Sequence, residues 1–420
     1  MKKNQIALLT VALGFWLIAV PLTFGYKGHA IARSDMISGF LSLILGLLCL
    51  APRRVWSGWV LGLVGIWLQL APLVFWAPTA AMYINDTLIG ALAIAFSFLL
   101  TKKSESESVP FIPSGWSYNP SAWLHRIPTV GLATLCWFFS RYMAAYQLGY
   151  IDAIWDPFFK EGTLRVITSK ISKDFPVSDA GMGAVCYTLE MLLGWQGGTR
   201  RWACMPWLVI AFAFLVVPVG MVSVILIILQ PVVVGAWCSW CLATAASMLV
   251  MIVLTGGELA AALQCVSSSK ARGESAWKVF WKGTRIPNRG PSLKPLHRNK
   301  NAMAWGVGAP WNLVLSLALG IWLMLSHSIL GIEDGLSIAN YIMGPLIVVF
   351  SFIAFSEVFR TIRFINILFG LVLLLAPWAT KNASGVGLTN SLIVGVLTIF
   401  LGFRKGDIAE RYGKWEKFIV

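Results

Sequence analysis

The chain of 420 residues is 58% hydrophobic and only 12% charged, roughly half the charged share of an ordinary soluble domain. A water-soluble globular fold of that length needs more polar residues to cover its surface, so the composition excludes one. The formal charge of +15 does not mark a nucleic-acid partner, because the Lys and Arg residues sit in short segments between apolar runs and form no basic stripe interleaved with base-stacking aromatics.

Taken in chain order, the apolar runs lie near 6–24, 36–51, 57–77, 86–101, 127–148, 180–196, 203–229, 232–255, 305–329, 338–356, 364–379 and 386–403. They predict an all-α, polytopic integral membrane protein with about twelve transmembrane helices in three four-helix units. A crossing takes about 20 residues, so the runs near 36–51 and 180–196 are short. Trp202 to Leu254 is too long for one span, and Pro231 after Gln230 supplies a break. Tryptophans such as Trp56, Trp59, Trp76, Trp202, Trp207 and Trp237 lie near run ends, where amphipathic rings favour the membrane interface.

Orientation follows from the basic segments. Lys2 and Lys3, Arg53 and Arg54, Lys102 and Lys103, Arg200 and Arg201, the nine Lys/Arg between Cys265 and Ala304, and the tail from Arg404 all fall on one side. The opposite loops, with Tyr83, Asn85 and Asp86 or with Glu333 and Asp334, are poor in basic residues; Lys27 and Arg33 are exceptions. The positive-inside bias then places both termini in the cytoplasm of a multi-pass cell-membrane protein, a bacterial inner membrane fitting best. The first run is read as retained rather than as a cleaved signal: it is long for a signal's apolar region and has a counterpart inside the chain.

That counterpart comes from an internal repeat at a constant offset of 305 residues, pairing Gly39 with Gly344, Gly65 with Gly370, Leu70-Ala71-Pro72 with Leu375-Ala376-Pro377, Asn85 with Asn390, Gly90 with Gly395 and Leu92 with Leu397. With one residue of slack, Phe15-Trp16-Leu17 pairs with Ile321-Trp322-Leu323. Four spans per copy, an even number, make the repeat parallel. With Ala376-Pro377-Trp378 as its Ser/Ala-Pro-Trp element, and Ala71-Pro72-Leu73 departing at the last position, the repeat resembles the SPW-repeat membrane family. The resemblance implies a structural or assembly role. A transporter role is disfavoured by the near absence of ionisable residues in these spans.

The middle of the chain carries Trp237-Cys238-Ser239-Trp240-Cys241. Thiols at i and i+3 of a helix share one face within reach of a disulfide, and a helix N-terminus favours a thiolate. On the expected topology the pair lies a turn or two below the oxidising face. Three other readings stay open on spacing alone: half a zinc site, which needs about four ligands; simple small apolar residues, as for Cys49, Cys136 and Cys265; or a static staple. No metal site is expected, since none of His29, His125, His297 and His327 is near in sequence.

Three stretches, the motif among them, go together: Val166-Ile167-Thr168-Ser169, Tyr187-Thr188-Leu189-Glu190-Met191-Leu192-Leu193-Gly194, and Cys238-Ser239-Trp240-Cys241-Leu242, with Pro176-Val177-Ser178-Asp179-Ala180-Gly181 opening the second helix. Over about 123–260 the chain thereby resembles the vitamin K epoxide reductase family. The resemblance implies a four-helix membrane bundle with catalytic Cys238 and Cys241 beside a quinone of the ubiquinone or menaquinone type. It makes Cys238 the thiol facing an outer partner, a thioredoxin-like protein, and Cys241 the one nearest the quinone. Asp179 falls where a polar residue hydrogen-bonds the quinone carbonyl, although Ser178 and Asp179 are also good helix caps. The departure is in the outer loop: Gly149 to Ser178 holds no cysteine, and Thr163 stands where the family's relay cysteine is expected.

The expected division is a first four-helix repeat over 1–101, a cytoplasmic linker over 102–122, the central bundle over 123–265, a basic cytoplasmic loop on anionic lipid over 266–303, a second repeat over 304–403 and a cytoplasmic tail over 404–420. Two functions from different classes follow: a membrane thiol–disulfide oxidoreductase coupling the CxxC pair to a quinone, or a non-catalytic scaffold or transporter with a structural CxxC.

Overall fold

The computed structural model describes residues 3–51, 54–101, 112–284, 303–331, 335–380 and 384–419. Arg53, Lys102, Lys103, Arg289, Glu333 and Asp334, used above to set the orientation, lie outside the described residues, as do parts of the linker and of the basic loop. The described chain is helical: α1 (Lys3–Thr23), α2 (Ala30–Leu50), α3 (Val55–Val74), α4 (Ala80–Thr101), α5 (Trp123–Gln147), α6 (Gly162–Ile167), α7 (Lys170–Lys173) and α8 (Asp179–Trp195) come first. They are followed by α9 (Arg201–Cys204), α10 (Pro206–Leu229), α11 (Ser239–Ser267), α12 (Ala276–Lys282), α13 (Trp311–Leu330), α14 (Gly335–Ile353), α15 (Ile365–Ala379) and α16 (Gly385–Phe403). No β-strand occurs among the described residues, only isolated bridges such as Trp116 with Tyr412.

Among the described residues, ten helices are long and apolar enough to cross a membrane, against the twelve spans counted from sequence. The two that fall outside are α5, which carries His125, Arg126 and Arg141, and α8, which is 17 residues long. Large apolar side chains lie open on the outer faces, Phe214 78% exposed and Trp378 71% exposed, while serines, asparagines and acids turn inward. That inversion of the soluble pattern marks a multi-pass membrane protein in contact with lipid.

Several helices begin earlier than the apolar runs. α2 starts at Ala30 and takes in Arg33, Ser34 and Asp35; α4 starts at Ala80 and takes in Tyr83, Asn85 and Asp86. These polar residues were expected in loops. They are helical because Ser34, Asp35, Tyr83, Asn85 and Asp86 are buried among neighbouring helices rather than facing lipid. The first repeat therefore does hold ionisable residues inside its spans. Trp202, expected at the interface, is buried in the second unit instead.

The chain forms two compact units: Met1–Glu107 with Thr134–Trp155 and Ile167–Gln196, and Ser108–Ala133 with Asp156–Val166 and Gly197–Val420. In the first unit α1 crosses α2 and α3 crosses α4 where glycine meets glycine. A Cβ on Gly14 would come within 2.8 Å of the Gly39 carbonyl, and one on Gly65 within 2.7 Å of the Gly90 carbonyl. The second unit repeats this device between Gly320 and Gly344 and between Gly370 and Gly395, each at 2.8 Å. Small residues let membrane helices approach closely enough for dispersion to hold them without a hydrophobic driving force. The polar lock repeats too: Trp16 donates to Asn85 at 2.9 Å in one copy and Trp322 to Asn390 at 2.8 Å in the other.

In the second unit the 29-residue α11 is the most buried of the long helices. Near its C-terminal end Glu258 accepts from Arg201 Nε at 2.6 Å and from Ser121, all three buried. The described part of the linker and the tail pack into an aromatic cluster of Trp116, Tyr118 and Tyr412. There Tyr412 donates to the buried Glu357 at 2.8 Å.

Candidate functional site

The site begins with the break between α10 and α11. Pro231 does not end the first of these helices. The chain passes through a π-helical turn over Gln230–Val234, ends it on Gly235 in the left-handed region (φ 68°), and re-enters helix at Ser239. π-turns of this kind concentrate at functional sites. The turn brings the buried Gln230 back over the start of α11, where its Oε1 accepts the Cys238 N–H at 2.9 Å.

Cys238 is the N-cap of α11, and Cys238 and Cys241 are joined as a disulfide with Cα atoms 5.3 Å apart. The Cys241 N–H, a first-turn donor with no carbonyl of its own helix to reach, points at Cys238 Sγ from 3.1 Å. Cys238 is fully buried and Cys241 half-buried.

The cover over Cys238 is the segment from Asp156 to Thr163, and Asp156 fastens it. The sequence Asp-Pro-Phe-Phe makes an Asx turn in which Pro157 has no N–H to offer. The next two amides, Phe158 and Phe159, donate to Asp156 Oδ1 at 3.0 and 2.8 Å. The other oxygen accepts from the Thr163 amide at 2.9 Å and the Thr163 hydroxyl at 2.5 Å. From α11, Ser239 adds its hydroxyl to Oδ1 and its amide to Oδ2 at 3.4 Å. Burial alone would raise this carboxyl. The bonds from Ser239, Thr163, Phe159 and Phe158 outweigh it and hold Asp156 well below the usual carboxylate range.

Two more features seat the cover. Lys160 adopts φ 55°, uncommon for a residue with a side chain. Gly162 lies so close to the Trp237 carbonyl that a Cβ there would sit 2.0 Å from its oxygen. The result places the Thr163 hydroxyl 3.5 Å from Cys238 Sγ.

Asp179 belongs to the first unit. It is the first residue of α8, and Ser178 does the capping by accepting from the Gly181 amide at 2.9 Å. Asp179 Oδ1 accepts from Gln147 at 2.5 Å, from Ser172 at 3.0 Å and from the Ala180 amide at 2.8 Å, tying the end of α5 and α7 to the start of α8. Gln147 in turn takes the Ser178 hydroxyl at 2.5 Å.

The structure thus brings Cys238 and Cys241 together with Thr163, all three of which the sequence singles out. Asp156, Ser239 and Gln230 are additional. The Asp-Pro turn and the Gln-Pro pair before the CxxC were their sequence signals, but neither says that the carboxylate meets Ser239 and the side-chain amide meets the Cys238 N–H at the start of the same helix. No cluster of three metal-ligating side chains occurs among the described residues.

Comparison with known families places these residues. Residues 127–256 match the model described as the vitamin K epoxide reductase family, and residues 4–100 and 310–405 match the SPW repeat domain. No curated protein and no solved structure matches the chain. The disulfide between Cys238 and Cys241 therefore lies in the segment that matches the vitamin K epoxide reductase family, set in one membrane chain between two segments that match the SPW repeat domain.

Proposed function

We propose that the chain is a membrane thiol–disulfide oxidoreductase coupled to a quinone, with Cys238 and Cys241 as its redox pair. The observation that carries this reading is the Cys238–Cys241 disulfide at the N-cap of α11, inside the segment that matches the reductase family. A partner's thiolate attacks Sγ of Cys238, Cys241 leaves as a thiolate, and a second partner thiol resolves the mixed disulfide. The partner gains a disulfide and the chain holds two thiols. A quinone of the ubiquinone or menaquinone type supplies the oxidant, accepting two electrons and two protons as the Cys238–Cys241 bond re-forms.

The chain's own groups suit the first half. The helix N-terminus and the Cys241 amide favour a thiolate at Cys238. The Thr163 hydroxyl has one hydrogen, which points at Asp156; in the reduced state it can rotate to donate to the sulfur. For the second half, Asp179 is the proposed quinone contact. Ionised, it accepts the hydroxyl of a hydroquinone and offers nothing to the carbonyl of a quinone.

The outward face of Cys238, a thioredoxin-like donor, cytoplasmic termini and a bacterial inner membrane belong to the same proposal, supported by the placement of basic segments. So does the division at 101, 123, 265 and 304. One observation favours a second reading, a structural CxxC in a scaffold: Cys238 is fully buried, and what the Asp156–Thr163 segment sets against it is a hydroxyl rather than a sulfur. Mass-shift alkylation of reduced protein before and after quinone addition separates the two. Re-formation of the bridge with quinone supports the oxidoreductase, and a bridge indifferent to quinone supports the scaffold.

A further inference from the structure

Asp35 in α2 and Asp86 in α4 are both fully buried inside spans of the first repeat. At 1.5 Å per residue they lie about 8 and 9 Å along their helices from Ala30 and Ala80, each between one and two turns inside its span. Each carboxyl has one oxygen satisfied. The Tyr26 hydroxyl donates to Asp35 Oδ2 at 2.5 Å, and Asn85 Nδ2 donates to Asp86 Oδ1 at 3.1 Å. The other two oxygens, Asp35 Oδ1 and Asp86 Oδ2, are buried and accept a hydrogen bond from no described residue. The two carboxyls lie within hydrogen-bonding reach of each other.

The second repeat supplies the internal control. At the same 305-residue offset Asp35 becomes Asn340 and Asp86 becomes Ser391, both fully buried. The Trp–Asn lock and the glycine crossings around them are kept. Asn340 Oδ1 and Ser391 Oγ also lack a donor, which a neutral group tolerates at the cost of a hydrogen bond rather than of a buried charge. This four-helix unit thus packs without acids at the two positions, and packing does not account for their presence in the first copy.

We propose that Asp35 and Asp86 form a membrane-buried proton-binding site, in which a single proton bridges Asp35 Oδ1 and Asp86 Oδ2. Two bare carboxylates in contact in an apolar interior repel each other and have lost their hydration. One bound proton turns the pair into a carboxylic acid donating to a carboxylate, with a charge of minus one shared between them. No other bond forms or breaks. A proton fits better than a metal cation, because the remaining oxygens already face the hydrogen-bond donors Tyr26 and Asn85. The inference stands apart from the thiol chemistry of Cys238 and Cys241 and does not depend on it.

Infrared difference spectroscopy on the full chain in lipid at neutral pH tests it, subtracting the double variant Asp35→Asn/Asp86→Ser, which copies the second repeat. The site predicts one carbonyl band of a protonated carboxyl, sensitive to deuterium exchange, in the wild type only. If that variant does not fold, the isosteric Asp35→Asn/Asp86→Asn serves for the same subtraction. Carboxylate bands alone would mean both groups are ionised, and two carboxyl bands would mean both are neutral; either overturns the shared proton. Loss of the band on adding sodium or potassium at fixed pH would make it a cation site and overturn the proposal as well.

Discussion

The hydroxyl oxygen of Thr163 lies 3.5 Å from the sulfur of Cys238, and both atoms belong to fully buried residues. A hydroxyl there can donate a hydrogen bond but cannot take part in disulfide exchange, which needs sulfur against sulfur. If the pair is redox-active as proposed, this loop reaches it with the wrong element for a relay, and a partner's thiol has to reach Cys238 itself.

Placing sulfur at that position should bring the loop within disulfide reach of Cys238. In Thr163→Cys combined with Cys241→Ser, the introduced thiol should form a disulfide with Cys238 on mild oxidation, seen as a cross-linked peptide pair by mass spectrometry. Thr163→Val should keep the fold and slow the resolving step, in which Cys238 leaves as a thiolate, by removing the donor, with Thr163→Ser near wild type.

Asp156 should control access to Cys238. It holds the cover to α11 through bonds to Ser239 and Thr163. Charge-assisted bonds contribute about 1.5–3 kcal/mol each and do not sum, so Asp156→Ala should open the cover by about 3 kcal/mol, roughly a hundredfold in the open population. The rate of alkylation of reduced Cys238, in a Cys241→Ser background, measures this. Asp156→Asn keeps the size of the side chain and should fall in between.

The same clamp should resist acid. Asp156 is held below the ordinary carboxylate range, so its contribution is complete above the unfolded value of about 4 and is lost only as pH falls through the lower folded value. Labelling of Cys238 by a pyridyl disulfide, which reacts with neutral thiols in acid, should not accelerate between about pH 6 and 4. A rise centred near 4 would mean an ordinary carboxylate and a weaker clamp.

Cys186 and Cys204 should be spectators. In Cys241→Ser the lone Cys238 thiolate can attack the disulfide of an oxidised partner, but the chain has no neighbouring thiol to resolve the bond, so a mixed disulfide with the partner should accumulate on Cys238. Adding Cys186→Ser or Cys204→Ser should leave its yield nearly unchanged. Loss of the adduct in either, with the fold intact, would reveal a relay through that thiol.

Much of this was legible in the sequence, for different physical reasons in each part. The glycine and asparagine register of the repeat was visible because close helix crossings and the Trp–Asn lock tolerate few substitutes, and both recur at the predicted pairs. The starts of α2 and α4 were hidden because hydropathy scores a residue by its type, and buried Asp35 and Asp86 look like loop residues on that scale. The thiol pair was visible as a motif, and Thr163 was singled out only through the family resemblance. Asp156 could not, since its role depends on the loop folding back onto α11, a contact 83 residues away in the chain. Gln230 was read only as a neighbour of the break at Pro231, whereas a π-turn carries it to the Cys238 amide.

The central claim, that the Cys238–Cys241 bridge is remade by a quinone, is tested most directly by reducing the purified chain in lipid, removing the reductant and following alkylation by mass. Adding an oxidised quinone should convert the species alkylated at Cys238 and Cys241 to one lighter by those two labels, with an equal amount of hydroquinone formed and no conversion in Cys238→Ser. Thiols that stay alkylatable in the presence of quinone, with the fold intact, would contradict the account.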